Sequence, residues 1–317
     1  MSTDIIFKIN SFNVRGLRQQ NKRLAIFRFL KTKHGGIHFI QETHSTPSDE
    51  EKWQKEWGGQ IIFSHGTHNS KGVAILFPHN SNYSLTSKLV DNEGRFIIAR
   101  GKLENQDLDL ANIYAPTKDK SADQLAFLNI LLSNLEQCSI NTILGGDFNT
   151  CLENIDKSGG RIFASTQYTN LLKTFMEEND YIDIWRLTHP GAKRFTWRDS
   201  SHGSVIQSRL DFWLVPMHML YNLSTTDIQC GILSDHSLIS LSLKTSSTDS
   251  RGRGFWKFNC QLLSNNDYVR KIKECLASCR DKYKDMTDHG LKWDAIKMEL
   301  RGASISFASF LARTERK

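Results

Sequence analysis

The chain has 317 residues, enough for one large domain with a tail or for two modest domains. Its formal charge of +7 is uneven: residues 1–245 carry 26 Lys and Arg against 25 Asp and Glu, and residues 246–317 carry 15 against 9. A general positive field over the main domain is therefore excluded as the way to attract a polyanion, and local clusters or a bound cation must do it.

Eight apolar stretches bounded by turn residues read as strands: IIFKINSFNV (5–14), IHFIQE (37–42), GVAILF (72–77), RFIIARGKL (95–103), LDLANIYAP (108–116), INTILGGDFN (140–149), RLDFWLV (209–215) and LISLSL (238–243). Three helices are expected between them. One spans about 18–33, with Leu24, Phe27 and Leu30 on one side. A second follows a capping box of Ser121 and Gln124, and a third covers about 167–178. Strands interleaved with helices, without strict alternation, predict an α/β fold: a four-layered sandwich of two packed mixed sheets flanked by helices. A dinucleotide-binding fold is disfavoured, because Asn13-Val14-Arg15-Gly16 stands where a GxGxxG turn would follow the first strand.

We expect domain 1–245, a Ser- and Gly-rich linker at 246–254, and a basic, mainly helical segment at 255–317. No run of 18 apolar residues occurs, and Asp4 and Lys8 interrupt any leader-like stretch, so an intracellular chain without a membrane partner is expected. The six cysteines, Cys138, Cys151, Cys230, Cys260, Cys275 and Cys279, show no CxxC spacing and read as reduced. A zinc site at Cys275 and Cys279 lacks a second ligand pair.

Polar residues stand where the apolar strands run out: Asn13, Glu42, Asp147 with Asn149, and Asp235 with His236 just before LISLSL. Strand ends converge at a sheet edge, so these groups can share one cleft. Hydrolysis of a phosphodiester needs a hard cation, a group that activates water and a stabiliser for the developing charge. Glu42, aided by Asn13 and Asp235, suits Mg2+, with Mn2+ as the alternative ion. Asp147 and Asn149 suit water activation, and His236 suits a phosphoryl oxygen if a second carboxylate, for which Asp211 is the candidate, holds its proton. Each residue alone also has an ordinary reading. Glu42 can be a solvated turn residue, GGDFN a Gly-rich turn, Asp235-His236 a cap, and Tyr114 a half-buried core residue. The KRFTWR segment, with Lys193, Arg194 and Arg198, interleaves cations and aromatics as nucleic-acid surfaces do, and an ordinary hairpin would look the same.

Taken together, SFNVRG, IQETH, NIYAPT, GGDFN, RLD and SDH resemble, in order, the motifs of the endonuclease/exonuclease/phosphatase superfamily over 1–245. IQETH with His44, the FTW of 195–197 and GRGFWKFN at 252–259 resemble, more narrowly, the apurinic-endonuclease-like domain of LINE-type retrotransposons. The resemblance implies metal binding by Glu42 with Asn13 and Asp235, phosphate or leaving-group contact by Tyr114, and water activation by Asp147 with Asn149. It further implies orientation by Asp211, transition-state stabilisation by His236, and a DNA surface lined by Thr196. The implied protein is a monomeric, nuclear, DNA-nicking endonuclease that leaves a 3′-hydroxyl, with double-stranded DNA as partner and a reverse transcriptase region downstream. An exonuclease III-like or abasic-site repair nuclease, a phosphoester phosphatase of the same fold and a nucleic-acid-binding remnant without catalysis are the alternatives. Leu238 departs from the proline or small residue that many relatives carry.

Overall fold

The first strand buries both of its faces, and that decides the layering. Phe7, Ile9, Ser11 and Asn13 alternate onto one face, while Phe12 is buried on the other. A strand buried on both sides needs a layer against each.

The computed structural model describes residues 5–33, 36–160, 163–200, 205–245 and 258–314. In chain order the elements are β1 (Ile5–Asn13), α1 (Gln20–Lys31), β2 (Ile37–Gln41), α2 (Glu50–Trp57), β3 (Ile61–Ser64), β4 (Val73–Leu76), β5 (Tyr83–Val90), β6 (Phe96–Leu103), the short β7 (Gln106–Asp107), β8 (Asp109–Tyr114), α3 (Ser121–Leu135) and β9 (Thr142–Asp147). There follow β10 (Lys157–Ser158), α4 (Gln167–Glu178), β11 (Tyr181–Asp183), α5 (Ile184–Thr188), β12 (Trp197–Asp199), β13 (Ile206–Ser208), β14 (Asp211–Pro216), β15 (Leu223–Gln229), β16 (Leu238–Thr245), α6 (Asn266–Lys282) and α7 (His289–Thr314).

One main sheet has the order β15-β16-β1-β2-β4-β3, and the other main sheet β11-β14-β9-β8-β6-β5, with β7 beside β6; β10, β13 and β12 form a small third sheet. Both are mixed: β1 and β2 run parallel, as do β8 and β9, and the remaining pairs are antiparallel. Phe7, Ile9, Phe39 and Ile75 of the first sheet meet Ile97, Leu110, Ile143 and Trp213 of the second in a shared core. Behind the first sheet, Ile26, Phe27 and Leu30 of α1 and Trp53 and Trp57 of α2 pack on Phe12, Ile40 and Leu76. Behind the second, Phe127 and Leu131 of α3 and Tyr168 and Leu172 of α4 pack on Ile113, Leu144 and Phe212. The result is a four-layered sandwich of helices, two sheets and helices.

The eight expected strands are present, and so are the three expected helices, with two differences in detail. On α1, Ile26 rather than Leu24 supplies buried contact, and Arg23 lies beneath Trp53 with a two-pronged pair to Glu56 (2.6 and 2.9 Å). The capping box at Ser121 does not form: Lys120 is the cap position without a side-chain bond, and Gln124 turns inward to donate to the Pro116 carbonyl at 2.8 Å. A buried carbonyl with a partner in reach outweighs a solvent-facing cap.

The chain divides into two compact units, Met1–Ser250 and Arg251–Lys317. The expected linker at 246–254 lies outside the described residues, as does most of GRGFWKFN. In the second unit Asn265 caps α6 by accepting from the backbone N–H groups of Asp267 and Tyr268. Leu262, Tyr268 and Phe307 form its small core, and the Tyr268 hydroxyl meets Ser304 at 2.7 Å. All six cysteines are free thiols. Among the described residues no helix is long and apolar enough to cross a membrane.

Candidate active site

Strand register delivers the polar residues to one edge. Asn13 closes β1 opposite Gln41, so Glu42 is the next residue out, and its period places Asn13 on the face that looks at the second sheet. There Tyr114 closes β8 opposite Asp147 of β9, and Asp147 in turn faces Asp211, the first residue of β14. Below this edge the two sheets are tied by Gln41, whose amide donates to Asn112 at 2.7 Å, and by Asn112, which donates to the Ala74 carbonyl at 2.9 Å. The glycines before Asp147 are required sterically. A Cβ on Gly145 would lie 2.1 Å from the Trp213 ring, and Gly146 has φ +142° with the Ile113 carbonyl 2.0 Å from where its Cβ would be.

Asn13 is the hub. Its Nδ2 donates to Glu42 Oε1 and to Asp147 Oδ2, both at 2.9 Å, while its Oδ1 accepts the Arg15 backbone N–H at 3.0 Å. The Arg15 bond fixes the sense of the amide, since a reversed amide would set N–H against N–H. Asn13, expected among the metal ligands, therefore turns its nitrogen, not its oxygen, to the carboxylates.

Glu42 also accepts from the Tyr114 hydroxyl at 3.0 Å, and His44 Nε2 lies 3.8 Å from its other oxygen. Burial alone would raise this carboxyl, but His44, Asn13 and Tyr114 overcome it and hold Glu42 down to about 2. Asp147 behaves oppositely. It is buried, and burial together with the charge of Asp211 raises its proton affinity, opposed by His236, the Asn149 N–H (2.9 Å) and Asn13.

His236 Nδ1 is bonded to Asp211 Oδ2 at 2.8 Å, and its Nε2 lies 3.8 Å from Asp147 Oδ2. Burial favours the neutral ring, but Asp211, then Asp147 and Asp235, reverse this and lift the imidazole to about 10. The ring is thus a cation between two carboxylates. Asp235 accepts from Trp197 Nε1 and faces Arg15 Nη1, each at 3.3 Å, and Ser234 secures its loop by donating to the Asn13 carbonyl at 2.7 Å. Glu42, Asp147, Asn149, Asp235 and His236 line one cleft of about 330 Å³. Asn149 reaches it after its side chain donates to the Ala115 carbonyl at 2.8 Å.

The donor chemistry fits a hard divalent cation. Glu42 is an ionised, cleft-facing carboxylate, and Asp211 Oδ1 is a buried oxygen without a hydrogen-bond partner among the described residues. Asp147, Asp211 and His236 also have ligand atoms within 4.8 Å of one another. An ion at that triad would compete with the Asp211–His236 bond and with the proton on the ring, so Glu42 is the better anchor.

Thr196 is a correction. Expected on a DNA surface, it is 0% exposed, and its hydroxyl accepts the backbone N–H groups of Leu210 and Asp211 at 2.9 and 3.1 Å. It braces the strand that carries Asp211. Arg194 and Arg198 are exposed, and Arg194 spends one N–H on the Ile228 carbonyl at 2.9 Å. Sequence reasoning missed Arg15, Trp197 and Ser234 as site residues. Their one signal was adjacency to motif residues in SFNVRG, FTW and SDH.

The sequence profile of the Endonuclease/Exonuclease/phosphatase family matches residues 10–248. A curated relative, the transposon TX1 uncharacterized 149 kDa protein of Xenopus laevis, is 26% identical over 295 residues, which are 92% of this chain. The chain spans only 22% of the length of that relative. Among solved structures, the AP endonuclease LMAP of Leishmania major superposes with a TM-score of 0.65 at 16% identity, covering 76% of this chain and 88% of that one. The endonuclease domain of TRAS1, a telomere-specific non-LTR retrotransposon, gives 0.56 at 15% identity, covering 75% and 99%. These structural likenesses concern the fold.

Proposed function

This chain belongs to the Endonuclease/Exonuclease/phosphatase family, and from that premise we propose that it is a divalent-metal-dependent DNA endonuclease that nicks duplex DNA and leaves a 3′-hydroxyl. The observation that carries this reading is the single hub at Asn13, which joins an ionised Glu42 to an Asp147–His236–Asp211 array in one cleft.

Each side chain then has a task in hydrolysis. Asp147, with raised proton affinity and two donors fixing its oxygens, is the group that orients water and takes its proton. His236, kept cationic by Asp211, offers Nε2 to a non-bridging phosphoryl oxygen as negative charge grows there. Tyr114, whose hydroxyl donates to Glu42 at 3.0 Å, would assist the leaving oxygen by turning that proton toward it. Mg2+ or Mn2+, held by Glu42 with Asp235 nearby, would neutralise phosphoryl charge. Preformed donors need no reorganisation during reaction, which is how such a site lowers a barrier.

The likeness to a transposon protein supports a role in transposition; on this reading the nick in target DNA primes reverse transcription, and the place of action is the nucleus. The test is nicking of supercoiled plasmid. The chain should relax it with Mg2+ and stop with EDTA, and the nick should be extended by a polymerase without prior phosphatase treatment. Asp147→Ala and His236→Ala should each abolish nicking with the fold retained, and full activity of His236→Ala would reject the mechanism. A duplex with one abasic site, set beside an intact AT-rich duplex, separates this role from repair, since strong preference for the abasic site would assign the chain to repair.

A further inference from the structure

We propose that Arg15 is a further substrate-contacting residue, whose guanidinium leaves Asp235 to take a phosphate oxygen of bound nucleic acid. This rests on the nuclease reading above and adds to it a residue outside the expected set.

Arg15 is held in place by its backbone. It adopts φ +49°, a left-handed conformation that is strained for a residue with a Cβ. Its N–H goes to Asn13 Oδ1 at 3.0 Å, its carbonyl accepts Lys22 Nζ at 2.8 Å, and the next residue, Gly16, donates to the Glu42 carbonyl at 2.7 Å. The strained turn thus carries an arginine to the lip of the cleft and ties it to the residue that orients the carboxylates.

The side chain is committed only loosely. It is 66% exposed, and its shortest approach to Asp235 is from Nη1 to Oδ2, at 3.3 Å. A guanidinium has five N–H donors and pairs best with a carboxylate or phosphate through two of them at once. Asp235 keeps the Trp197 indole as a second partner, so it is not stranded when Arg15 turns away. An exposed ion pair of this kind is worth little, and a phosphate can displace it.

Charge balance favours such a residue. Glu42, Asp147 and Asp235 bring three carboxylates to the cleft, with Asp211 buried behind His236, while Lys118 and Lys157 are its other lining cations and the main domain is nearly neutral. His236 offsets one of them, and a bound cation would offset more. Arg15 lines the same cleft and is a positive charge that is present before any metal arrives.

The experiment measures binding of a short fluorescent duplex to the full chain in EDTA, between about 50 and 200 mM salt, alongside melting temperature. Arg15→Gln should weaken binding about tenfold at low salt, reduce the slope of log Kd against log salt by about 1, and leave melting unchanged. Arg15→Lys should restore the slope. The same loss of slope should persist in an Asp235→Asn background, where there is no carboxylate left for Arg15 to neutralise. An unchanged slope in Arg15→Gln, or an effect that disappears with Asp235→Asn, would overturn the proposal while parental binding leaves the nuclease reading standing. A parent that fails to bind duplex at any salt also overturns the proposal, and the nuclease reading then stands or falls on plasmid nicking with Mg2+.

Discussion

Replacing Asp211 by Asn should move the proton on His236 by several orders of magnitude in affinity while leaving the site's shape intact. The carboxylate lies 2.8 Å from Nδ1. At an effective dielectric of about 20, a unit charge at that distance is worth about 6 kcal/mol, or roughly four pKa units. An amide keeps the hydrogen bond, and Asp147 and Asp235 still face the ring, so a fall of about 2–3 units is expected. His236 should then titrate near pH 7–8 instead of about 10. The sign follows from linkage. A raised imidazole pKa adds stability that is complete below the ordinary value of 6.5 and lost as pH climbs through about 10. In Asp211→Asn that loss should finish near neutrality. The assay is an imidazole NMR titration of metal-free protein, with the His236 resonance assigned by its absence in His236→Gln, and a parallel series of melting curves. Should His236 in Asp211→Asn titrate where it does in the parent, Asp211 is not what holds the proton, and the assignment of its role is wrong.

Two further substitutions probe the frame around the site. Thr196→Val leaves the buried N–H groups of Leu210 and Asp211 without their acceptor and should cost about 1–3 kcal/mol in urea unfolding; because the hydroxyl is internal, duplex affinity of the folded protein should be unaltered, and a selective loss of affinity would return Thr196 to the DNA surface. Asp156 is fully buried, bonds Arg209 at 2.7 and 2.9 Å and pairs with Arg186, so Asp156→Asn should lose about 3–5 kcal/mol by leaving two buried guanidiniums with Asp183 as the remaining carboxylate of the cluster. A loss below about 1 kcal/mol by the same measurement would show that the cluster does not hold the strand leading to Asp211.

Two layers of organisation meet at this site. The Asp156–Arg209 pair joins the loop that follows Asp147 to the residue two before Asp211, and the Arg209 backbone N–H adds a bond to the Asp156 carbonyl at 2.8 Å. Buried ion pairs are costly to assemble and tolerate little displacement once formed. They therefore reinforce the β9–β14 register that pairs Asp147 with Asp211 on either side of His236.

Much of this was legible in the chain alone, where the cause is local. Apolar runs of the right length define β1, β2, β8, β9, β14 and β16, and the polar residue that closes or follows β1, β2, β8 and β9, opens β14 or precedes β16 falls at one end of the sheets because strand direction brings it there. Strands with mixed exposure were not legible. β5, with its largely exposed LTSK, and the polar edge strand β15 bury too few residues for a pattern to stand out, and α2 presents only Trp53 and Trp57 to the core. The setting of Thr196 and Asn13 was not legible for a different reason. A hydroxyl or amide suits surface and interior alike, and only the groups around it decide which it meets. Asn13 and Asp147 are 134 residues apart, and His236 acquires its charge from Asp211 and Asp147, both brought to it by other strands. Residue type and order thus determined which chemistry the chain can perform. Which atom of each group faces the cleft, and in what proton state, was decided by tertiary structure, because burial and neighbouring charge act through distances of a few ångströms that no run of sequence contains.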